Sequence, residues 1–595
     1  MRYPNIAALF RERVNQYRHR DVFYVRQGGR WTGISWDRFE RAADDLGCAL
    51  IALGLQKGTS VCILMGNVPE WPISDLGVIM AGGISVGLYP TSSPEQCRYI
   101  INHSDAEFVI VDTEAQLEKI LRIRHALPGV RKIIVRERLR TRLDERLIHF
   151  DDVLHFGRTH RERVYPALRA RAESARPEDI AIMVYTSGTT GPPKGACLSH
   201  RYVINSVESL LETIPIYDSD RSFSYLPYCH VAERISGLYN RLYAGAPAYF
   251  VDDLNRLWSY MLEVKPTVFG SLPRFYEKLH ASIMADVQRA SSAEREQFHR
   301  ALALGRRLSR LRQAGQPIPP ELHLEYERRA RPILERVKRA FGGEIRIATS
   351  GGAPLPLDIA EFFDAAGIPI LQAYGLTENV CVAFNRPDRY KFGTVGPPMP
   401  GCQVKIAEDG EILVRSRMMF SGYYKDPEKT AEAFRDGWLL TGDLGELDED
   451  GFLKITGRKK EIIVTSTGKN ISPLLIENML KEHPLISQAM VYGEGKSYLV
   501  ALITLHRSET EQYARARGIA FEHFGQLVRH PDIVSLVERI VDGVNARVSS
   551  TESIKKFVIL DHDLSMEAGE ITPTMKIRRD VVTEKYRDVL ERLYE

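Results

Sequence analysis

The stretch that most constrains this chain is a short apolar run followed at once by glycines and hydroxyl side chains. Ile180–Tyr185 is rich in β-branched and aromatic residues and has the length of one buried strand. The next residues, Thr186–Gly195, read T-S-G-T-T-G-P-P-K-G. Glycines let backbone N–H groups approach an anion, hydroxyl groups add hydrogen bonds, and Lys194 adds a counter-charge. The predicted polyphosphate-binding residues are Thr186, Ser187, Gly188, Thr189, Thr190 and Lys194.

Two other interpretations of this stretch compete with phosphate binding. The common nucleotide loop, G-x-x-x-x-G-K-[ST], requires glycine where Pro193 stands and a hydroxyl residue where Gly195 stands, which disfavours a P-loop fold. An ordinary surface loop has a similar composition, because Ser, Thr, Gly and Pro dominate loops. The complete order of the stretch, together with motifs farther along the chain, favours phosphate binding.

The N-terminal region alternates between predicted helices and predicted strands. The predicted helices are 5–14, 36–53, 70–80 and 99–104, and the predicted strands are 61–65, 84–88 and 108–111. Ser35 is the expected N-cap of the second helix, and Gly54 its stop. Such alternation predicts mostly parallel sheets covered by helices. Because 595 residues exceed one ordinary core, we expect an α/β protein of two or more domains.

Charge, cysteine content and hydropathy exclude several classes of protein. The 80 basic and 77 acidic residues leave a net charge of +3, too small to indicate a nucleic-acid partner. The seven cysteines are scattered, which argues against a disulfide framework or a zinc site. The most apolar window, 76–88, contains four glycines and is shorter than the roughly 20 residues that cross a bilayer. Without a targeting or lipidation signal, the expected location is cytoplasmic and the expected partners are small molecules.

Two later segments suit a nucleotide. Residues 345–355 read I-R-I-A-T-S-G-G-A-P-L, a strand leading into glycines where backbone can approach a flat ligand. Residues 371–378, L-Q-A-Y-G-L-T-E, supply an aromatic face, a hydroxyl and a carboxylate in one short loop. Residues 436–443, D-G-W-L-L-T-G-D, end in a carboxylate that can accept hydrogen bonds from both ribose hydroxyls. Alone, Asp443 is equally consistent with an ordinary turn.

Taken in order, these motifs resemble the AMP-forming adenylating enzymes, which include acyl-CoA synthetases, peptide-synthetase adenylation domains and luciferases. The resemblance covers essentially the whole chain and includes G-R-K-K-E at 457–461 and I-T-P-T-M-K at 571–576. It implies a large N-terminal domain of helix-flanked sheets with a smaller β-structured subdomain, followed by a small, mobile α+β domain. Residues 1–456 would bind acid and ATP, and residues 457–595 would carry the adenylation lysine and the thioester-forming loop.

The resemblance also implies roles for single residues. The nucleotide would contact Gly351, Gly352, Ala353, Tyr374, Gly375, Thr377, Asp443 and Arg458. Thr186 and Glu378 would hold Mg²⁺, which prefers oxygen ligands and keeps water and substrate phosphates. Lys460 would be the pivot of the small domain, and Gly468 would border the pantetheine tunnel for coenzyme A. Thr467 stands where many relatives have glycine, so the width of that tunnel stays open.

Three residues are predicted to be catalytic: Lys576, Lys194 and His230. In register with the family, Lys576 reaches the carboxylate and the α-phosphate during adenylation. A single histidine among apolar neighbours, as in 228–234, is more often structural. That segment nevertheless resembles the long-chain acyl-CoA synthetase form of a motif whose histidine lies beside the acyl carboxylate, which implies this place for His230.

The segment 281–340 permits two interpretations. It is helical in pattern, rich in arginine and broken by prolines. The ordinary interpretation is a solvated helical hairpin. Peripheral contact with the inner face of a membrane is the other, because basic amphipathic surfaces attract anionic lipid.

The predicted reaction joins a long-chain fatty acid to coenzyme A. The carboxylate attacks the α-phosphorus of ATP and releases pyrophosphate, with Mg²⁺ and lysines neutralising charge. Rotation at Lys460 then lets the coenzyme A thiolate displace AMP. Three alternatives stay open: transfer to a carrier-protein phosphopantetheine, activation of an aryl or other acid, and a non-catalytic nucleotide-binding regulator.

Overall fold

The computed structural model describes residues 1–138, 144–186, 192–466, 469–572 and 576–595. Within these ranges, four sheets lie before residue 459 and two smaller ones lie after it. We call residues 1–456 the N-terminal part and residues 457–595 the C-terminal part.

The largest sheet has seven strands and carries the start of the predicted phosphate stretch at one edge. Its spatial order is Leu147–His149, Lys132–Val135, Ala106–Val111, Ser60–Leu64, Ile84–Gly87, Ile180–Thr186 and Lys194–Ser199. Every neighbouring pair is parallel except the last, which is antiparallel. Ser60–Leu64 is buried throughout, which explains its continuous apolar sequence.

Two four-stranded sheets extend the parallel framework. One has the order Ser222–Ser224, Ala248–Phe250, Asp21–Gln27 and Arg30–Ser35, and the other has the order Val268–Ser271, Ile347–Ser350, Ile370–Leu376 and Asn379–Phe384. Each contains three parallel strands and one antiparallel edge strand. Ligands of open α/β sheets bind outside the carboxyl ends of such strands. The second of these sheets therefore positions the segments at 351–353 and 377–378.

The remaining sheets are smaller. A five-stranded antiparallel sheet comprises Cys402–Ile406, Glu411–Ser416, Trp438–Leu447, Phe434–Arg435 and Leu453–Arg458. The C-terminal part contains Ile463–Val464 paired with Asn470–Ile471, and a sheet of Ile486–Tyr492, Leu499–Leu505 and Ile554–Ile559. The predicted α/β class, with a large N-terminal and a small C-terminal portion, is confirmed.

Helices connect the strands. The α-helices are Ile6–Tyr17, Trp36–Ala52, Glu70–Met80, Pro94–His103, Glu114–Ile123, Phe150–Thr159, Arg161–Glu173, His200–Thr213, Asn240–Ala244, Leu257–Val264, Pro273–Arg289, Ser292–Gln313, Pro320–Glu325, Arg331–Ala340, Leu357–Ala365, Pro427–Glu432, Pro473–Lys481, Arg507–Ala516, Phe524–Leu527, Pro531–Asn545, Arg579–Lys585 and Arg587–Arg592. Short 3-10 helices lie at Arg124–Ala126, Leu254–Arg256 and Lys459–Glu461, and π-helical segments lie at Ala232–Tyr239 and Tyr326–Ala330. The Ser35 side chain caps its helix as predicted, by accepting from the backbone of Arg38.

The arginine-rich helices pack one face against the rest of the protein. Ser292–Gln313 begins at a capping box and buries one face, including Phe298 and Leu308. Gly305 lies so close to Leu357–Ala365 that a Cβ there would be 2.3 Å from the Ala365 carbonyl oxygen. One face of this helix therefore belongs to a hydrophobic core, while arginines such as Arg300 stay exposed on its other face.

The buried apolar clusters do not cross from one part to the other. Three clusters lie in the N-terminal part, and two lie wholly in the C-terminal part, at 463–554 and 490–590. No helix in the described ranges combines the length and the apolarity needed to cross a membrane.

Candidate active site

The predicted phosphate stretch begins where two antiparallel strands meet. Thr186 ends its strand directly opposite Lys194, which begins the next one. Lys194 Nζ lies 4.9 Å from the centre of the Tyr423 ring, a cation–π arrangement that fixes the direction of the amine. Ser187, Gly188, Thr189 and Thr190 lie outside the described residues.

Glu378 lies at the turn of a β-hairpin, although its segment was predicted to be a short loop. Ile370–Leu376 pairs antiparallel with Asn379–Phe384, which leaves Thr377 and Glu378 at the tip. Burial of the apolar residues of both strands favours the sheet over a loop. Gly375 is required there, because a Cβ would lie 1.8 Å from the Val380 carbonyl oxygen.

Two tyrosines that sequence reasoning missed fix this tip. The Tyr202 hydroxyl donates to the Thr377 carbonyl at 2.9 Å and accepts from the Val380 N–H at 3.0 Å. The Tyr423 hydroxyl donates to Glu378 Oε1, so the same ring touches Lys194 and orients the carboxylate. Both tyrosines are distant in sequence from the hairpin, and neither lies in a glycine-rich motif that would have drawn attention.

Glu378 and Thr186 have the donor chemistry that a magnesium ion prefers. Among the described residues, none donates a hydrogen bond to Glu378 Oε2, which leaves that oxygen available to a cation. In the same ranges, no group of three or more His, Cys, Asp or Glu side chains would hold a metal by itself. Any Mg²⁺ here would therefore take its other ligands from water and substrate phosphates.

Asp443 joins Tyr374 by a hydrogen bond and Arg458 by an ion pair. Tyr374 Oη donates to Asp443 Oδ2 at 2.6 Å, and Arg458 Nε lies 2.9 Å from Asp443 Oδ1. Asp443 and Arg458 face each other across antiparallel strands, so the backbone register fixes their separation. Burial, followed by the charge of Asp443, raises the pKa of Tyr374 well above its ordinary value, so the phenol remains a donor.

The glycine turn at 351–353 packs against the start of the neighbouring helix. The Gly351 N–H donates to the Ser271 carbonyl at 3.3 Å. Gly352 has φ +80°, a left-handed conformation that favours glycine, and the Leu272 side chain lies 3.2 Å from where its Cβ would be. Ala353 is exposed beside them, which leaves an open backbone surface suited to a flat ring.

Lys576 approaches the same group from the C-terminal part. The Thr572 N–H donates to the Lys576 carbonyl at 2.8 Å, and the Lys576 N–H donates to Thr572 Oγ1 at 3.1 Å. Lys576 keeps solvent access, yet dehydration by surrounding protein and then the charge of Arg458 lower its pKa. Asp443 and Glu461 act in the opposite direction. Lys576 is therefore close enough to the Asp443 and Arg458 pair for the charges to interact.

His230 lies within reach of the Lys576 charge. Burial, followed by Lys576, lowers the pKa of His230 to about 4, so the ring is neutral at pH 7. Its Nδ1 accepts from the Ala232 N–H at 3.1 Å. In a neutral ring the proton then resides on Nε2, which makes Nε2 a hydrogen-bond donor.

Buried charges fix the segment that follows His230. Glu233 pairs with Arg241 at 2.7 Å, and Arg234 pairs with Asp75, which also accepts from the Tyr239 hydroxyl at 2.6 Å. The sequence shows these charged residues but does not predict their partners, because the partners lie in other helices. The structure shows them as supports for the π-helical turn, a conformation frequent at functional sites.

The predicted pivot, Lys460, is exposed in the 3-10 helix Lys459–Glu461. Its neighbour Lys459 is fixed to the five-stranded sheet, with Nζ 2.6 Å from Asp409 and 2.8 Å from Glu411. Gly468 lies outside the described residues. Arg458 also interacts electrostatically with the charge of Glu378, which links the Asp443 group to the tip of the Glu378 hairpin.

Both parts of the chain match known protein families. Residues 10–424 match the AMP-binding enzyme family, and residues 460–595 match the AMP-binding enzyme C-terminal domain.

Individual relatives span the whole chain. The long-chain-fatty-acid–CoA ligase FadD15 of Mycobacterium bovis is 34% identical over 602 residues, which cover 100% of this chain and 97% of the relative. The long-chain-fatty-acid–CoA ligase ACSBG2 of Homo sapiens is 31% identical, over 99% of this chain and 92% of the relative. The adenylation domain of a carboxylate reductase from Mycobacterium chelonae superimposes with a TM-score of 0.75 at 22% identity, over 100% of this chain and 92% of that one, a likeness of fold.

Proposed function

The chain belongs to the AMP-binding enzyme family, and on that premise we propose that it is an AMP-forming long-chain fatty acid–CoA ligase. It activates the acid through an acyl-adenylate, transfers the acyl group to coenzyme A, and releases AMP and pyrophosphate. The observation that carries the proposal is that Asp443 pairs with Arg458 at 2.9 Å, and that the charge of Lys576, from the C-terminal part, interacts with this pair and with His230.

The first half-reaction forms the acyl-adenylate. A carboxylate oxygen attacks the α-phosphorus of ATP, the bond to the β-phosphate oxygen breaks, and pyrophosphate leaves. Lys576 and Lys194 neutralise the charge that develops on the phosphates. Nε2–H of neutral His230 donates to the carboxylate and orients it.

The nucleotide binds to the fixed wall of the cleft. Asp443 accepts from the ribose hydroxyls beside Arg458, the backbone of 351–353 borders the adenine, and Tyr374 stacks on it. Thr186 and Glu378 would hold Mg²⁺, which would supply positive charge to neutralise the phosphates.

The second half-reaction forms the thioester. The thiolate of coenzyme A attacks the acyl carbonyl, and the bond from that carbon to the AMP oxygen breaks. Rotation of the C-terminal part about Lys460 removes Lys576 and brings the loop at Gly468 to the site. No apolar cluster of the described residues has to be divided for this movement.

The test is AMP release by the purified protein with Mg-ATP, with and without coenzyme A, across acids from acetate to oleate. Turnover that depends on coenzyme A and is greatest with long chains supports the proposal. Replacing coenzyme A with a phosphopantetheine-loaded carrier protein tests the carrier alternative. Absence of ATP–pyrophosphate exchange with every acid would instead indicate a non-catalytic regulator.

We also propose that the protein contacts an anionic membrane surface through a stripe of apolar side chains next to basic ones. Leu254 and Leu262 are exposed by 62% and 59%, and Trp258 between them is half-buried, with Trp258 and Leu262 one helical turn apart. Gly342, just after the basic helix Arg331–Ala340, packs on the backbone of Met261.

The charge around the stripe suits an anionic partner. The segment 281–340 carries 13 Lys and Arg against 7 Asp and Glu, and its last helix ends in Lys338 and Arg339. Exposed apolar side chains beside a basic surface bind the headgroup region of anionic bilayers. A fatty acid, which partitions into membranes, would then be collected near the site.

Vesicle sedimentation tests this contact. Leu254→Asp/Leu262→Asp should bind phosphatidylglycerol vesicles more weakly than the parent protein, whereas Leu447→Asp, at an exposed position on the five-stranded sheet, should not. Equal binding by both variants would contradict the proposal, as would binding that is insensitive to salt.

A further inference from the structure

One side-chain contact bridges the two parts of the chain away from the reacting groups. Arg274 is the second residue of helix Pro273–Arg289, and its Nη2 contacts the imidazole of His506. The Arg274 Nη1 donates to Glu277 Oε2 at 3.0 Å, which fixes the guanidinium on its own helix. Because a guanidinium only donates, the imidazole must present an unprotonated nitrogen to it.

On the N-terminal side, this contact adjoins the turn proposed for adenine. Ser271 accepts the hydrogen bond of Gly351, and Leu272 packs on Gly352. Arg274 follows two residues later, where the helix has begun. A nucleotide that orders the turn at 351–353 therefore also orders the start of the helix that carries Arg274.

On the C-terminal side, His506 is connected rigidly toward Lys576. It follows the central strand Leu499–Leu505, whose Thr504 hydroxyl donates to Asp563 Oδ1 at 2.6 Å. Glu570 anchors residues that follow Asp563 in the chain. Its side-chain carboxylate accepts a hydrogen bond from the Ser565 N–H, and its backbone carbonyl accepts one from the Arg578 N–H. Arg578 is two residues from Lys576, so a shift of His506 is transmitted to the lysine.

Charged neighbours of opposite sign surround the contact. Lys481, at the end of helix Pro473–Lys481, lies close enough to Glu277 for the two charges to interact. These groups are polar and partly hydrated, and no apolar cluster of the described ranges joins the two parts. The orientation of the C-terminal part thus depends on a few polar contacts.

We propose that Arg274 and His506 are positioning residues for the first half-reaction: their contact holds the C-terminal part in the orientation that presents Lys576 to the nucleotide. The inference rests on the proposed function, and it adds a pair of residues that touch neither substrate nor reacting atoms. The contact must break when the C-terminal part rotates for the thioester step. Weakening it therefore impairs the first half-reaction without impairing the second.

Separate assays of the half-reactions test the proposal. His506→Lys places two cations together and should lower oleate-dependent ATP–pyrophosphate exchange by about tenfold, a coupling of the size found between residues in contact. Formation of oleoyl-CoA from added oleoyl-AMP should be unchanged or faster. Parallel loss of both rates would indicate a merely structural role, and no loss of either would show that the contact does not position Lys576; both outcomes overturn the proposal.

Charge exchange and matched controls sharpen the assay. Arg274→Glu combined with His506→Lys restores an attractive pair and should recover most of the exchange rate. As controls, Arg289→Ala and Arg515→Ala remove arginines that pair with Asp286 and Glu511 within helices Pro273–Arg289 and Arg507–Ala516, and should leave both half-reactions unchanged. Failure of the double variant to recover would contradict a direct pairing.

A distance measurement separates this inference from the proposed function. The seven native cysteines are all buried, so spin labels on Gln297→Cys and Ser535→Cys report the distance between the two parts. His506→Lys should broaden the distance distribution obtained with Mg-ATP, and the charge exchange should narrow it again. An unchanged distribution overturns the contact as a positioning device, whereas an inactive parent protein with the expected broadening overturns only the proposed function.

Discussion

The two walls of the cleft are constructed differently. In the wall built on sheets, which includes the end of strand Leu453–Arg458, Asp443 opposes Arg458 and Thr186 opposes Lys194 across paired strands, so the register of the backbone fixes each pair. In the other wall, Lys576 belongs to a part that has its own apolar core. The first wall is fixed by sheets and the second is oriented by polar contacts.

This difference assigns nucleotide binding to the wall built on sheets and the change of orientation to the other wall. A wall built on sheets can bind the same nucleotide throughout a two-step reaction, because its side chains do not depend on the orientation of the smaller part. A part attached through polar, hydrated contacts can change orientation at small cost in free energy. The four predictions that follow test this division, from the largest expected effect to the smallest.

Loss of the lysine should affect only the step that requires it. Lys576→Ala should lower ATP–pyrophosphate exchange by about 10²–10³, the range for removing one preorganised group that stabilises transition-state charge. Conversion of oleoyl-AMP to oleoyl-CoA should persist. Lys555→Ala, an exposed lysine of the same part, is the control. If both half-reactions were lost equally, Lys576 would act in both steps, as a residue of the fixed wall does.

A change in the fixed wall should affect both steps. Asp443→Asn weakens the acceptor for Tyr374 and removes the charge opposite Arg458, so the adenylate is bound less well in each step. We expect each half-reaction to fall about tenfold and the free energy of unfolding to fall by about 1–3 kcal/mol. Asp450→Asn, at an exposed turn of the same sheet, should change neither. An effect restricted to adenylation would contradict the division.

The sequence predicts the fixed wall better than the contacts between walls. Strands such as 61–65 and the helix 70–80 were predicted because burial imposes a local apolar pattern, and the observed Ser60–Leu64 and Glu70–Met80 follow it. The segment containing Glu378 was misread as a loop because its glycine and polar residues resemble one, although tertiary pairing makes it a hairpin.

Long-range partners leave no local pattern. Tyr423 and Tyr202 reach the tip of the Glu378 hairpin from elements far away in sequence, and Arg274 reaches His506 across 232 positions. Such pairs are fixed by how sheets and helices stack, which single residues and spacings do not encode. The resemblance supplied Asp443 and Arg458 as ribose residues, whereas their ion pair came only from the strand register.

Acidification should act on the moving wall before the fixed one. Burial, and then Arg274, lowers the pKa of His506 to about 4 from 6.5, with Lys278 acting in the same direction and Asp563 against it. The oriented state therefore binds fewer protons than the released state, and lowering the pH from 6.5 toward 4 favours release. The first half-reaction should fall by up to about tenfold per pH unit in that window.

The control for this pH dependence is a buried histidine of the N-terminal part. Burial also lowers the pKa of His200 to about 4, but its Nδ1 accepts from the Ile6 N–H within the core of the N-terminal part. His200 should titrate only with global unfolding. Replacing His506 with Gln should flatten the pH profile of adenylation between 6.5 and 5, while the profile of the thioester step stays the same. A profile that is unchanged in His506→Gln would assign the effect to another group.

The smallest expected effect locates the end of the fixed wall. Lys459 pairs with Asp409 and Glu411 and is the last residue before the predicted pivot that is joined to the five-stranded sheet. Lys459→Ala should lower the free energy of unfolding by about 0.5–1 kcal/mol, since the pairs are partly exposed. Glu411 keeps the Gly442 N–H as a partner, which limits the loss. Both half-reactions should change together, by about twofold or less. The control is Lys454→Ala, which removes an exposed ion pair on the same sheet and should change neither half-reaction. If the ratio of the two rates shifts instead, Lys459 belongs to the moving wall and the pivot lies before it, because only a residue that contributes differently to the two orientations can alter that ratio.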